Sequence, residues 1–136
     1  MSTLSLSGSC LCGVVRYVAT GQTQRFWHCH CKRCRKASGT GHASNIFLEG
    51  SLAWESGEDA TRNFKPPDAK RFTNTFCQTC GSRLPRYNEE LGMVFIPAGS
   101  LDDEPDISPQ GHIFISSRAA WSCGGAVLPE FEEYPG

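Results

Sequence analysis

Seven of the eight cysteines in this 136-residue chain fall into three tight clusters, and their spacing constrains the fold more than any other feature. The clusters are Cys10-Leu-Cys12, Cys29-His-Cys-Lys-Arg-Cys34 and Cys77-Gln-Thr-Cys80. Zinc takes thiolates at tetrahedral angles, and a two-residue gap lets one tight turn supply two of them. A one-residue gap also serves, because side chains two apart on extended backbone point to the same side. A disulfide-stapled secreted domain is the competing use of so much cysteine, but pairs as close as Cys10 and Cys12 suit a metal better. The opening residues, Met1 to Cys10, have neither the basic start nor the apolar run of a secretion signal, so a cytoplasmic location with reduced thiols is expected. No stretch has the apolar length of a membrane span, and no membrane association is expected.

Counting assigns the clusters. Two pairs make one complete tetrahedral set, so Cys10, Cys12, Cys77 and Cys80 are expected to hold one zinc, a closed site that stabilises the fold. Gly13 and Gly81, one residue past each pair, suit the tight turns that follow thiolate knuckles. The middle trio, Cys29, Cys31 and Cys34, stands apart with one corner missing. Three protein ligands and an open position mark a catalytic zinc. The alternative is a second closed site whose fourth ligand is His28, His30, His42, His112 or Cys123. If the segment is extended, however, Cys29 and Cys31 share one side while His28 and His30 share the other. Cys123 itself reads as a small buried hydrophobe or an idle thiol.

The rest of the chain predicts a mostly β protein of many short strands, with residues 1–136 forming one zinc-stapled domain. The strand-like runs are Val14 to Ala19, Ile46 to Leu48, Ser51 to Trp54, Phe72 to Phe76, Met93 to Pro97 and His112 to Ile115. In the first, Val15, Tyr17 and Ala19 lie on one face and Val14, Arg16 and Val18 on the other. Turns are expected at Gly50-Ser51, Ser56-Gly57, Pro66-Pro67-Asp68 and Pro109-Gln110-Gly111. Helix is expected only for a turn or two after Cys34 and near Arg118 to Trp121. A core this divided is marginal alone, and metal staples are the usual remedy.

Taken together, Gly8-Ser-Cys-Leu-Cys-Gly13, Cys29-His-Cys-Lys-Arg-Cys-Arg-Lys-Ala-Ser-Gly39 and Phe76-Cys-Gln-Thr-Cys-Gly-Ser82 resemble the glutathione-dependent formaldehyde-activating (GFA) enzyme family, which includes centromere protein V. Ala98-Gly-Ser-Leu-Asp102, His112-Ile-Phe, Trp121 and Leu128-Pro-Glu-Phe131 extend the resemblance over nearly the whole chain. It implies a GFA-type β fold with two zinc ions per chain. The structural zinc would sit on Cys10, Cys12, Cys77 and Cys80, and the catalytic zinc on Cys29, Cys31 and Cys34. The activity implied is condensation of formaldehyde with glutathione to S-hydroxymethylglutathione, a carbon–sulfur lyase reaction in reverse. Fold transfers more safely than activity in such a comparison.

Zinc is borderline soft and accepts a sulfur ligand readily, so an open three-thiolate site suits an incoming thiol better than water. The expected partners are a small-molecule thiol such as glutathione and a small aldehyde. Lys32, Arg33, Arg35 and Lys36 surround the trio and either pair with glutathione's carboxylates or form a solvated basic face. His30 or His112 serves as proton shuttle or, more simply, as a structural hydrogen-bond partner. Phe26, Trp27 and Trp121 wall a pocket or pack the core. The rival functions are a non-catalytic thiol carrier and a zinc-knuckle interaction module. Thirteen basic against 14 acidic residues, net −1, together with Glu130, Glu132 and Glu133 near the end, count against nucleic acid.

Overall fold

The computed structural model describes residues 3–122 and 128–135. In chain order the elements are β1 (Leu4–Ser9), β2 (Arg16–Cys29), α1 (Lys32–Ser38), β3 (Ala43–Ser56), β4 (Thr61–Phe64), β5 (Asn74–Cys77), β6 (Arg83–Leu84), β7 (Arg86–Asn88), β8 (Met93–Pro97) and β9 (Gly111–Ile113). The protein is therefore mostly β, as the sequence predicts. Among the described residues no helix is long and apolar enough to cross a membrane.

The larger sheet runs β1-β2-β3-β8-β7, with β9 added beside β2. All its pairs are antiparallel except β2 with β9. β1 covers the first half of β2, from Arg16 to Gly21, and β9 covers Trp27 to Cys29. The smaller sheet is β4-β5-β6. Val15, Tyr17 and Ala19 are fully buried whereas Val14 and Arg16 are exposed, so the predicted two-residue alternation holds. They pack with Leu6, Ile46, Leu48, Val94 and Ile96 into the principal core, which also takes in Cys10 and Cys77. Each fully buried aliphatic side chain there contributes about 2 kcal/mol of apolar transfer.

Two regions depart most from the sequence reading. Gly50-Ser51 is no turn, because β3 runs unbroken through it. Gly50 pairs with Gly21 of β2, and the two backbones approach so closely that a Cβ on Gly50 would lie 2.0 Å from the Thr20 carbonyl oxygen. The glycines serve that close approach rather than a chain reversal. Gly50→Ala should therefore destabilise the protein by about 3 kcal/mol, the overpacking range, checked by urea unfolding; a loss below about 1 kcal/mol would contradict this packing.

The second departure lies near the C-terminus. Strand pairing stops at Ile113 because Phe114 takes a left-handed conformation (φ 56°), and a single 3-10 turn follows at Ile115–Ser117. The helix expected near Arg118 to Trp121 is not among the described elements. The other predicted helix begins earlier than expected, at Lys32, since Cys31 caps it: its Sγ accepts from the Cys34 N–H.

Candidate metal centre and cavity

Cys10, Cys12, Cys77 and Cys80 come together with their sulfurs all within 4.8 Å of one another. Cys10 and Cys12 do not lie on extended backbone, as the sequence reading supposes. They sit on the turn between β1 and β2, closed by the Gly13 N–H donating to the Cys10 carbonyl (3.0 Å), with Leu11 exposed at its tip. The second pair makes a turn one residue longer, the Gly81 N–H donating to the Cys77 carbonyl at 2.8 Å. Gly13 and Gly81 both have positive φ, 80° and 77°, as the knuckle argument requires.

Cys10 and Cys12 sulfurs are 3.6 Å apart, and those of Cys12 and Cys77 are 3.9 Å apart. Those separations are far too long for a disulfide. A tetrahedron with zinc–sulfur bonds of about 2.3 Å has sulfur–sulfur edges of about 3.8 Å, so the donors fit a zinc ion. Hydrogen bonding from Ser82 pulls the Cys80 thiol down to about 5, toward the thiolate a metal needs.

The trio is assembled where β2 hands over to α1. Cys29 ends β2, Cys31 caps α1, and Cys34 lies in the first helical turn. Their sulfurs also lie within 4.8 Å of one another, and among the described residues no fourth ligand joins them. Cys29 and Cys34 are buried, Cys31 is half-buried, and Ala43 packs against the buried pair. The Cys34 thiol hydrogen-bonds to Cys29 and draws it down to about 6, while Cys34 itself is pushed up. Three cysteine donors in this arrangement suit zinc.

The trio opens on a cavity of about 700 Å³. Trp27, Phe47, Phe72, Met93, Phe95 and Ile113 give it apolar walls, and Lys32, Arg33, Arg71, Arg83 and Arg86 give it positive charge. Arg83 is held by its Nε–H donating to Asn74 Oδ1 at 2.8 Å. Burial pushes its pKa below the usual value, opposed by the field of Cys34, Cys29 and Cys31, which it faces. Arg86 sits over the Phe95 ring at 5.1 Å.

All four histidines of the chain gather elsewhere. His28 and His42 rings stack at 4.0 Å, and His30 lies 5.0 Å from His112, ring to ring. One nitrogen–nitrogen hydrogen bond, 2.8 Å, joins His30 Nε2 and His112 Nδ1. None of the four lines the cavity. The alternation along β2 accounts for this, since Cys29 and its flanking histidines project to opposite sides. Burial first, and then the neighbouring rings, hold His28 and His30 below the ordinary histidine value; His42 is lowered likewise.

The family model described as glutathione-dependent formaldehyde-activating enzyme matches residues 5–117, a span holding both cysteine groups. The chain belongs to the GFA family. No curated protein matches it. A crystal structure of a Rhodobacter sphaeroides protein, a Northeast Structural Genomics target, is similar at TM-score 0.51 and 18% identity, covering 78% of this chain and 98% of its own. At that identity the likeness speaks for the fold alone.

Within this GFA chain the basic cluster is divided. Lys32 and Arg33 line the cavity, Arg33 pairing with Asp68 at 3.2 Å. Arg35 instead donates to the Ser117 carbonyl (3.0 Å), and with Lys36 and the shared Lys32 it borders a separate small pocket beside Trp121. Of the three aromatics singled out in the sequence, Trp27 walls the cavity, Phe26 is core and Trp121 is largely exposed. Cys123 lies outside the described residues. Sequence reasoning missed Arg71, Arg83 and Arg86. The available signal was the basic spacing of Arg83 and Arg86 directly after the second knuckle.

Proposed function

We propose that this GFA protein catalyses the reversible addition of a small thiol to a small aldehyde, the carbon–sulfur lyase chemistry of its family. Glutathione and formaldehyde are the first pair to test. The observation carrying this reading is that the three-sulfur set lines a ligand-sized cavity whereas none of the four sulfurs of the other set does.

Cys10, Cys12, Cys77 and Cys80 would hold a structural zinc, tying the β1–β2 turn to the end of β5. Cys29, Cys31 and Cys34 would hold the second. When bound there, zinc supplies the Lewis acidity that keeps a thiol in its anionic form. In the reaction the carbon–sulfur bond forms as the carbonyl π bond breaks, and the thiol proton ends on the new hydroxyl; no oxidant is needed. Arg83 faces the sulfurs and offsets their negative charge, and it also brings a donor near the oxygen where negative charge develops. The apolar walls limit water around the reacting groups. None of the four histidines lines the cavity, so no step is assigned to them.

Freshly purified, reduced protein should contain two zincs per chain, one lost more readily to a chelator, and should accelerate thiol addition to formaldehyde saturably above the uncatalysed rate. A content of one zinc per chain after zinc supplementation would exclude the middle trio as a second zinc site. Binding of the thiol without acceleration would make the protein a carrier.

A further inference from the structure

Building on the thiol-binding trio proposed above, we infer that the cavity's own substrate is a thiol with an apolar, aromatic-sized body and a carboxylate, carrying no positive charge. Three observations support this class. First, a volume of about 700 Å³ far exceeds what a one-carbon aldehyde and a thiol group occupy, so most of the space receives the body of a ligand.

Second, the walls around that space are aromatic and aliphatic. Trp27, Phe47, Phe72 and Phe95 offer ring faces, and Met93 adds a deformable thioether. A peptide backbone laid against those rings and aliphatic groups would lose water that they cannot replace by hydrogen bonds, leaving only Asn45, Thr73, Ser117 and the cations as partners in the lining. An apolar ligand body loses no such bonds.

Third, apart from the three cysteine sulfurs, the charged side chains lining the cavity are all cationic. Lys32, Arg33, Arg71, Arg83 and Arg86 border it, and no aspartate or glutamate does among the described residues. Arg33 is compensated by Asp68; it is the sole ion pair found among the described residues, and the other four cations have no carboxylate partner there. A ligand carboxylate would find a guanidinium fork in Arg83 or Arg86. An α-ammonium group such as glutathione's would find no carboxylate among those lining residues and would face the uncompensated cations, a like-charge penalty. A thiol whose only charged group is a carboxylate therefore fits the lining better than one that adds an ammonium group.

The test compares three ligands by calorimetry on the zinc-loaded protein: 2-mercapto-3-phenylpropanoate, its neutral amide, and glutathione. The mercaptocarboxylate should bind about tenfold or more tighter than either of the others. In parallel, absorption of cobalt(II)-loaded protein reports whether a thiol reaches the metal. If none of the three thiols alters that spectrum, the thiol-binding reading itself fails and takes this inference with it. If they do alter it but glutathione or the amide binds as tightly as the carboxylate, the substrate class is wrong while the thiol site stands. The preference of acid over amide should fall at least about threefold in Arg83→Met or in Arg86→Met. An unchanged preference in both variants overturns the assignment, and the wild-type ligand comparison decides even if one variant fails to fold.

Discussion

Cys77→Ser is expected to leave a chain with no cooperative unfolding transition at neutral pH. Cys77 is completely buried at the end of β5 and belongs to the principal core as well as to the four-sulfur set. A closed zinc site in a small domain contributes about 10 kcal/mol or more to folding, comparable with the whole stability of about 5–15 kcal/mol typical of a domain. Serine there is a poor zinc donor and leaves a hydroxyl in apolar surroundings. Far-UV circular dichroism through a urea titration measures the effect. A sigmoidal transition near the wild-type midpoint would show that the four sulfurs do not staple the fold.

Cys31→Ser should behave in the opposite way, staying folded while thiol addition drops to the uncatalysed rate. The reason is local. Cys31 is half-buried and caps α1, its Sγ accepting from the Cys34 N–H at 3.3 Å. A serine hydroxyl accepts the same bond and is among the preferred N-cap groups, so stability should change by no more than about 1 kcal/mol. One of the three proposed zinc ligands is nevertheless gone, and two thiolates leave the metal without its set. Parallel urea titration and turnover assays distinguish the two sites. Retained turnover, or unfolding as complete as that of Cys77→Ser, would overturn the division into one structural and one reactive site.

Much of the candidate centre was legible beforehand because ligand spacing is a local property. Knuckle pairs and their following glycines are written within a few residues, and the fold reproduces those turns at Gly13 and Gly81. β8 falls on the predicted Met93–Pro97, a short apolar run bounded by turn residues. β3 was less legible, since Gly50 reads as a turn until its partner Gly21 is known. β1 was not singled out: the alternation of Leu4 and Leu6 with serines is too short a signal until β2 pairs with it along six residues. Similarly, Phe114 ends β9 through a backbone conformation that no neighbouring residue announces.

By itself the sequence determined that the chain is mostly β and which sulfurs cluster locally, because turn geometry and thiol spacing act over a few residues; the pairing of the first cluster with the third followed from counting ligands. Only the tertiary structure decided what surrounds those sulfurs. Arg71, Arg83 and Arg86 reach the trio from parts of the chain remote from it in sequence, and β9 pairs with β2 so that His112 stands beside His28 and Ile113 beside Cys29. Strand register and sheet order set those neighbours, and both are settled by burial of the whole core rather than by any short stretch of residues.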